Sequence, residues 1–293
     1  MAGAAIPRVA LPSGVEVPAL GLGTWKMGER RGARRAEVAA IRRAVELGAT
    51  LIDTAEMYAD GGAEEVVGEA LDGLGADAFV VSKVLPSNAS ARGTIAACER
   101  SLKRLRRERI DLYLLHWPGR HPLEETVAAF ERLKADGRIG DWGVSNFDAA
   151  DMAALAALPG GERCATNQVY YALSRRGVEI DLLPWMAARA MPAMAYCPLD
   201  EGRLADHPEL APIARELGAT PAQVALAWLL HRAAPGDASA ARDAAVIAIP
   251  KSASVARVEE NVAAASLRLA PAQLEALGRA FPRPSGPVPL AVV

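Results

Sequence analysis

The chain has 293 residues, with 33 lysines and arginines against 35 aspartates and glutamates, and its formal net charge is −2. Hydrophobic residues make up 51% of it and charged residues 23%, which is typical of a folded globular protein and too apolar for a disordered one. The length leaves two architectures open, namely two mid-sized domains or one α/β barrel of about 250 residues.

The charge balance argues against a nucleic-acid-binding protein, which usually carries a basic excess or a basic stripe. The densest basic run, 103–109, comes at the end of a helical pattern, where cations interact favourably with the helix dipole. No apolar stretch reaches the roughly 20 residues that a membrane span needs. The three cysteines lie far apart without a CxxC pair, which fits a reducing compartment. We therefore expect a cytoplasmic monomer with no nucleic-acid or membrane partner.

The chain begins with two short alternating runs, 7–11 and 15–18, that flank Pro12-Ser13-Gly14 and predict a β-hairpin. Short apolar runs then alternate with longer segments of helical period. The apolar runs, which predict eight strands, are 20–23, 50–53, 78–83, 111–116, 139–144, 165–169, 192–196 and 244–249. Because these runs are continuously apolar, they indicate parallel strands that are covered on both faces.

Helical patterns follow the predicted strands at 35–47, 63–72, 90–105, 123–135, 148–157, 179–190, 208–217 with 221–232, and 254–265, and a last one covers 271–280. Eight strands with eight crossovers match the count of a (β/α)8 barrel. The competing doubly wound sheet normally has G-x-G-x-x-G after its first strand, and the third glycine is missing after Gly21-Leu22-Gly23. We therefore predict one α/β domain over 1–293, a (β/α)8 TIM barrel with an N-terminal β-hairpin and a C-terminal extra helix. The polar segment 233–243 is predicted to be a mobile loop and the tail 282–293 to be extended.

Polar or aromatic side chains stand at the end of nearly every predicted strand. Because the carboxyl ends of barrel strands form one mouth that holds the active site, we expect these side chains to lie together. The set comprises Gly23-Thr24-Trp25, Asp53, Lys83, His116-Trp117, Ser145-Asn146, Asn167-Gln168, Tyr196 and Pro250-Lys251-Ser252. Tyr58 lies in the loop after Asp53 and belongs to the same rim.

Four of these residues, Asp53, Tyr58, Lys83 and His116, suggest proton transfer to a carbonyl oxygen. A tyrosine has a pKa near 10 and is a poor acid unaided, but a nearby ammonium such as Lys83 lowers that pKa. Asp53 would hold Lys83 charged, and His116 would hydrogen-bond the same carbonyl oxygen. Only His116 of the four histidines ends a strand, and no nucleophile–base pair is present, so we expect neither a metal site nor covalent catalysis. The reducing equivalent would have to come from a cofactor.

Many separate motifs resemble those of the aldo-keto reductases, in the family's order and spacing, from about residue 5 to residue 281. They are Gly-Thr-Trp at 23–25, Leu-Ile-Asp-Thr-Ala-Glu-Met-Tyr at 51–58, Ser-Lys at 82–83, Leu-Leu-His-Trp-Pro at 114–118, Gly-Val-Ser-Asn-Phe at 143–147, Asn-Gln at 167–168, Ala-Tyr-Cys-Pro-Leu at 195–199 and Ile-Pro-Lys-Ser at 249–252, with Arg257, Glu260 and Asn261. The resemblance implies Tyr58 as general acid, with Asp53, Lys83 and His116 completing a catalytic tetrad.

The resemblance also implies a site for NADPH/NADP+. Residues 145, 146 and 168 match positions that hold the nicotinamide carboxamide, and residue 196 matches the aromatic that stacks on the nicotinamide. Residues 251, 252 and 257 match the 2′-phosphate site, and 260 and 261 the adenine site. The implied cofactor contacts are Gly23, Thr24, Trp25, Asp53, Ser145, Asn146, Gln168, Tyr196, Cys197, Pro198, Leu199, Lys251, Ser252, Arg257, Glu260 and Asn261. The implied contacts of a small carbonyl substrate are Trp25, Tyr58, His116 and Trp117.

Within the family, the chain looks closer to a bacterial branch that reduces small aldehydes such as methylglyoxal. Leu85 stands where many eukaryotic members carry a tryptophan, and the segment after Phe281 is short. The leading hypothesis is NADPH-dependent reduction of small aldehydes and ketones to alcohols. One alternative is a nicotinamide-binding regulatory subunit with little turnover, and another is a metal-dependent barrel hydrolase.

Overall fold

The apolar runs form eight parallel strands arranged in one sheet. The computed structural model describes residues 5–74, 78–232 and 244–292. The strands are β3 (Leu22–Gly23), β4 (Leu51–Asp53), β5 (Phe79–Val84), β6 (Ile110–Leu115), β7 (Ile139–Ser145), β8 (Asn167–Tyr170), β9 (Ala193–Tyr196) and β10 (Val246–Ala248). They lie side by side in chain order. Parallel bridges between Leu20 and Ala248, and between Gly23 and Lys251, close the sheet into a barrel.

Two short antiparallel strands, β1 (Arg8–Ala10) and β2 (Glu16–Pro18), precede the barrel and confirm the predicted hairpin. Their inward side chains, Val9 and Val17, are buried in the hydrophobic core. The predicted (β/α)8 barrel with an N-terminal hairpin is therefore confirmed.

In the described part of the chain, ten α-helices surround or follow the strands. They are α1 (Arg34–Glu46), α2 (Gly62–Leu71), α3 (Ala91–Leu105), α4 (Leu123–Ala135), α5 (Ala149–Ala156), α6 (Leu182–Ala187), α7 (Ala211–Leu217), α8 (Pro221–His231), α9 (Val255–Ala263) and α10 (Pro271–Ala280). The largest departure from prediction is α6, for which a helix over 179–190 was expected. The Asp181 carboxylate accepts from the Leu182 N–H and begins the helix there, and Ala190 has a φ of 50°, which no α-helix continues through.

Helix α3 illustrates how local sequence sets these elements. Its buried positions fall on one stripe at helical spacing, from Thr94 to Leu105, and the Ser90 hydroxyl accepts from the Gly93 N–H at its beginning. The basic run 103–109 lies at its end, as predicted. Three arginines of that run are within ion-pair distance of carboxylates, Arg104 with Glu64, Arg106 with Asp72 and Arg107 with Asp111.

The carboxyl ends of β3 to β10 meet at one mouth of the barrel, so the fold brings the strand-end residues together. Among the described residues, the helices are too short or too polar for any of them to cross a lipid bilayer. The segment 233–243 lies outside the described residues. The described part of the tail, 282–292, contains neither helix nor strand.

Candidate active site

A cavity of about 240 Å³ opens at the carboxyl ends of the barrel strands. Its walls combine predicted strand-end residues with several apolar side chains. The lining consists of Gly23, Thr24, Trp25, Asp53, Met57, Tyr58, His116, Trp117, Ser145, Asn146, Gln168, Tyr196, Cys197, Ile249 and Lys251. The barrel thus brings the tetrad together from three segments of the chain: Asp53 and Tyr58 from β4 and its loop, and His116 after β6, with Lys83 of β5 buried behind them.

The floor of the cavity is a buried ion pair between Lys83 and Asp53. Lys83 Nζ lies 2.8 Å from Asp53 Oδ1 and 2.9 Å from Oδ2, and both side chains are almost fully buried. Burial raises the pKa of Asp53 and lowers the pKa of Lys83, and the attraction between the two charges opposes both shifts. Each residue occupies a sheet position, so the pair is held by the backbone of β4 and β5.

The contacts of Lys83 fix the direction of the Tyr58 hydroxyl. Lys83 Nζ donates to the Asp53 carboxylate, to the Thr54 carbonyl oxygen at 2.8 Å and to Tyr58 Oη at 3.3 Å. An ammonium has three hydrogens and no lone pair, so the phenol oxygen accepts from it. The hydrogen of the Tyr58 hydroxyl therefore points elsewhere, and the ring lies at the cavity wall. This geometry suits a proton donor that faces the cavity.

The pKa of Tyr58 departs from the expectation that Lys83 would lower it. Burial raises the pKa of Tyr58 well above its usual value, and the Asp53 carboxylate adds to the increase. The expectation was wrong because the Lys83 ammonium is already neutralised by Asp53, so desolvation of the phenolate outweighs its attraction. Tyr58 is consequently protonated in this state of the site, as an acid must be before it acts.

His116 is neutral in this environment. Burial lowers the pKa of His116 to about 2, with the Lys83 ammonium as the second cause. Its Nδ1 is buried and has no hydrogen-bond partner among the described residues. Its ring contacts Tyr58 edge-on, with the ring centres 5.7 Å apart. Because a buried unpaired N–H is rarer in proteins than an unpaired acceptor, we assign the ring hydrogen to Nε2. A neutral imidazole with that tautomer donates one hydrogen bond.

The low pKa of His116 predicts a loss of stability in acid. The folded value of about 2 lies below the unfolded value near 6.5, so between them the unfolded state binds one more proton and acid favours unfolding. At about pH 5 this costs about 2 kcal/mol relative to about pH 8. Urea unfolding at both pH values measures the decrease in the free energy of unfolding on going to the lower pH. This decrease should be correspondingly smaller for His116→Gln than for the wild type. Equal losses would mean that His116 takes up its proton in the folded state.

Amide and hydroxyl groups form a second wall. Gln168 Nε2 donates to Asp53 Oδ2 at 2.7 Å, and the Ser145 hydroxyl donates to the Gln168 carbonyl oxygen at 2.8 Å. Asn146, which has a φ of 60°, donates from Nδ2 to the His116 carbonyl oxygen, and its Oδ1 accepts from the Tyr196 hydroxyl at 2.8 Å. The predicted carboxamide trio and the predicted stacking tyrosine are therefore adjacent and joined to the tetrad.

The predicted adenosine-side residues lie outside the cavity, except Lys251 at its edge. Arg257 is exposed on α9. The Ser252 hydroxyl forms hydrogen bonds with the carbonyl oxygen and the N–H of Ser254. Glu260 accepts from the Thr220 hydroxyl at 2.6 Å. The remaining predicted contacts that do not line the cavity are Pro198, Leu199 and Asn261.

Three residues of the site were not found by sequence reasoning. Met57 and Ile249 line the cavity, and both are apolar neighbours of predicted residues, so their type carried no chemical signal. Glu56 is 7% exposed and accepts from the Leu85 N–H at 2.8 Å and from Asn88 Nδ2 at 2.9 Å. Its position two residues before Tyr58 was the signal that could have identified it.

Comparisons with known proteins agree with this geometry. A model of the aldo/keto reductase family matches residues 19–280. The chain is 51% identical to the methylglyoxal reductase YeaE of Escherichia coli (strain K12) over 284 residues, 95% of this chain and 96% of that protein. It is 34% identical to the glyoxal reductase of Bacillus subtilis (strain 168) over 257 residues, 86% of this chain and 85% of that protein. A crystal structure of an aldo/keto reductase from Klebsiella pneumoniae, in complex with NADP and acetate, has a TM-score of 0.92 at 46% identity and covers 98% of this chain and 100% of that one. The family resemblance of the motifs is thereby confirmed, and the chain belongs to the aldo/keto reductase family.

Proposed function

We propose that the protein reduces small uncharged aldehydes and ketones to alcohols with NADPH, with Tyr58 as the general acid. The general prediction, an NADP(H)-dependent carbonyl reductase, is confirmed by the family and by relatives that match nearly the whole chain. The observation that carries the assignment of the acid is the Tyr58 hydroxyl, which accepts from Lys83 and so directs its own hydrogen away from that ammonium.

The residues present fit a nicotinamide dinucleotide phosphate. With its Nε2 engaged by Asp53, Gln168 has Oε1 left to accept from a carboxamide N–H. Tyr196 has a half-buried ring at the cavity wall, which suits stacking. Within the described ranges, neither Lys251 nor Arg257 has a carboxylate within ion-pair distance, and such cations suit a phosphate. When bound, the cofactor supplies the hydride that reduces the carbonyl carbon.

The chain's own residues supply the proton. Tyr58 transfers its hydroxyl hydrogen to the carbonyl oxygen of the substrate, so the C=O becomes CH–OH. The resulting phenolate keeps its hydrogen bond from Lys83, whose charge stabilises it, and it regains a proton from solvent. His116, neutral and in contact with Tyr58, donates a second hydrogen bond to the same oxygen and orients the carbonyl.

The walls of the cavity favour a short neutral substrate. Trp25, Met57 and Trp117 form its apolar side, and Lys83 is engaged by Asp53, Thr54 and Tyr58. A carboxylate on the substrate would thus meet apolar rings rather than an available cation on this side. We propose methylglyoxal and similar 2-oxoaldehydes as substrates, in line with the name of the Escherichia coli relative.

Arg257 should set the preference for NADPH over NADH. Removing its guanidinium in Arg257→Ala should raise KM for NADPH about tenfold, because a charge-assisted hydrogen bond to the 2′-phosphate is lost. KM for NADH should stay the same. Steady-state kinetics with both cofactors measures this, with Arg279→Ala as the control, since Arg279 is exposed on α10. Equal increases for both cofactors would place Arg257 away from the 2′-phosphate.

A substrate panel tests the proposed substrate class. The kcat/KM values for methylglyoxal and glyoxal should exceed those for sugars and for carbonyl compounds that carry a carboxylate. A preference for the carboxylate-bearing compounds would contradict the apolar side formed by Trp25, Met57 and Trp117.

Four further predictions stay as predictions: one domain over 1–293, a monomer, a cytoplasmic location and no nucleic-acid partner.

A further inference from the structure

The turn that follows Tyr58 has an unusual backbone. Ala59 has φ 50° and ψ 38°, Asp60 has φ 52° and ψ 43°, and Gly61 has φ 88°. All three therefore adopt the left-handed region in succession. Residues other than glycine visit that region as single residues and rarely consecutively, because Cβ approaches the following carbonyl oxygen. Such a run persists only where the surroundings force it.

Two neighbouring segments pack against this turn. A Cβ added to Gly61 would lie 2.5 Å from Arg104 Nε, so the α3 side chain packs directly against its backbone. Arg104 is itself held by the buried Glu64 carboxylate at 2.6 Å. A Cβ added to Gly62 would lie 3.3 Å from the Gly28 carbonyl oxygen, so the loop after β3 closes the other side. The turn is thus packed between two neighbouring segments.

Glu56 holds the residues that precede the turn through hydrogen bonds. Its Oε1 accepts from the Leu85 N–H and from Asn88 Nδ2, both in the loop that follows Lys83. Its own N–H donates to the Lys83 carbonyl oxygen at 3.3 Å. The chain that enters the Tyr58 turn is therefore tied to the segment that carries the Lys83 ammonium.

Tyr58 needs such a restraint more than the other members of the tetrad. Asp53 and Lys83 lie in β4 and β5, and the His116 N–H donates to the Val84 carbonyl oxygen, so the barrel backbone holds all three. Tyr58 lies in the loop after β4, and among the described residues its hydroxyl has one long hydrogen bond, the 3.3 Å contact from Lys83. Its ring also contacts His116 edge-on, but neither contact fixes the backbone that carries the side chain, and small displacements of a catalytic group matter for proton transfer.

We propose that the left-handed turn 59–61, fastened by Glu56, is a positioning device that holds the Tyr58 hydroxyl against Lys83. Ala59 and Glu56 are its positioning residues, and neither touches the reacting atoms. The inference rests on the proposed role of Tyr58. It adds that the rate depends on a strained backbone outside the cavity.

The test compares two identical substitutions at two left-handed alanines. Ala59→Gly still allows the left-handed conformation but, without a Cβ, gives the turn many other accessible conformations. Ala190→Gly makes the same change at φ 50° in the exposed connection before β9, at the opposite end of the barrel. We expect kcat to fall about tenfold in Ala59→Gly, as for a slightly misplaced catalytic group. The affinity for NADPH, measured by fluorescence titration, should stay at the wild-type value. The kinetic isotope effect with NADPH deuterated at the transferred hydrogen should rise, and Ala190→Gly should match the wild type in all three measurements.

A second pair of variants tests the hydrogen bonds of Glu56. Glu56→Ala should lower kcat like Ala59→Gly, whereas Glu56→Gln keeps an acceptor oxygen and should retain most of the rate. Wild-type kcat in both Ala59→Gly and Glu56→Ala would overturn the proposal. So would an equal loss of kcat in Ala190→Gly, or a loss explained by weaker NADPH binding. Tyr58→Phe separates the two hypotheses. If Tyr58→Phe stays active, the assignment of the acid fails. If it is inactive while Ala59→Gly and Glu56→Ala both keep wild-type kcat, only the positioning device fails.

Discussion

We expect Tyr58→Phe to lower kcat about a thousandfold and to leave the affinity for NADPH unchanged, because the substitution removes the general acid. The substitution deletes one oxygen and keeps the ring against His116. Neutral His116 remains able to hydrogen-bond the substrate carbonyl but is a poor proton donor. Burst and steady-state kinetics with saturating NADPH measure the effect on the chemical step.

A matched control is available in Tyr113→Phe. Tyr113 is fully buried in β6, and its ring contacts Phe130 of α4, on the outer side of the barrel. Tyr113→Phe should keep wild-type kcat. Comparable kcat values for Tyr58→Phe and the wild type would remove Tyr58 from the acid role. A parallel loss in Tyr113→Phe would instead indicate a general effect on folding.

Lys83→Met should remove activity and destabilise the protein by about 3–5 kcal/mol, the usual cost of leaving one partner of a buried ion pair alone. Methionine keeps a similar length but leaves the Asp53 carboxylate with Gln168 as its remaining side-chain donor among the described contacts. The buried carboxylate then takes up a proton or draws in water, and either response costs free energy. Tyr58 also loses its hydrogen-bond donor, so kcat should fall with stability.

The double variant Asp53→Asn/Lys83→Met isolates the cause of the instability. It removes both charges, so we expect it to recover most of the free energy of unfolding lost in Lys83→Met but none of the activity. Urea unfolding of the wild type, both single variants and the double variant forms the complete cycle. Additive losses would show that Asp53 and Lys83 contribute independently to the free energy of unfolding.

The fold was predictable from the sequence because each strand of a parallel barrel is covered on both faces and therefore appears as a separate apolar run. The positions of Asp53, Lys83 and His116 followed directly, since each stands at a strand end and all strand ends share one mouth. Ser145 and Tyr196 are at the cavity for the same reason, whereas Gln168 is the second residue of β8 and reaches the cavity beside Ser145, with which it pairs in the sheet.

The parts that escaped prediction depend on side-chain and loop geometry. Gln168 was expected to contact a carboxamide, but its bond to Asp53 requires residues 115 positions apart to meet, and no local pattern records that. The direction in which the pKa of Tyr58 shifts depends on how strongly Lys83 interacts with Asp53 and with Tyr58. Only the distances between these groups reveal that. Asp60-Gly61-Gly62 marks a turn after Tyr58, but nothing in the sequence shows that the left-handed conformation already begins at Ala59, because alanine ordinarily favours a helix.

This barrel catalyses repeated carbonyl reduction and does not merely hold a nicotinamide cofactor. The direct test follows NADPH absorbance after the purified protein is mixed with excess NADPH and excess methylglyoxal. We predict that each chain oxidises many equivalents of NADPH and that the product is the corresponding hydroxy compound. Oxidation of one equivalent per chain or less, followed by a stable complex, would contradict it and favour a regulatory nicotinamide-binding subunit.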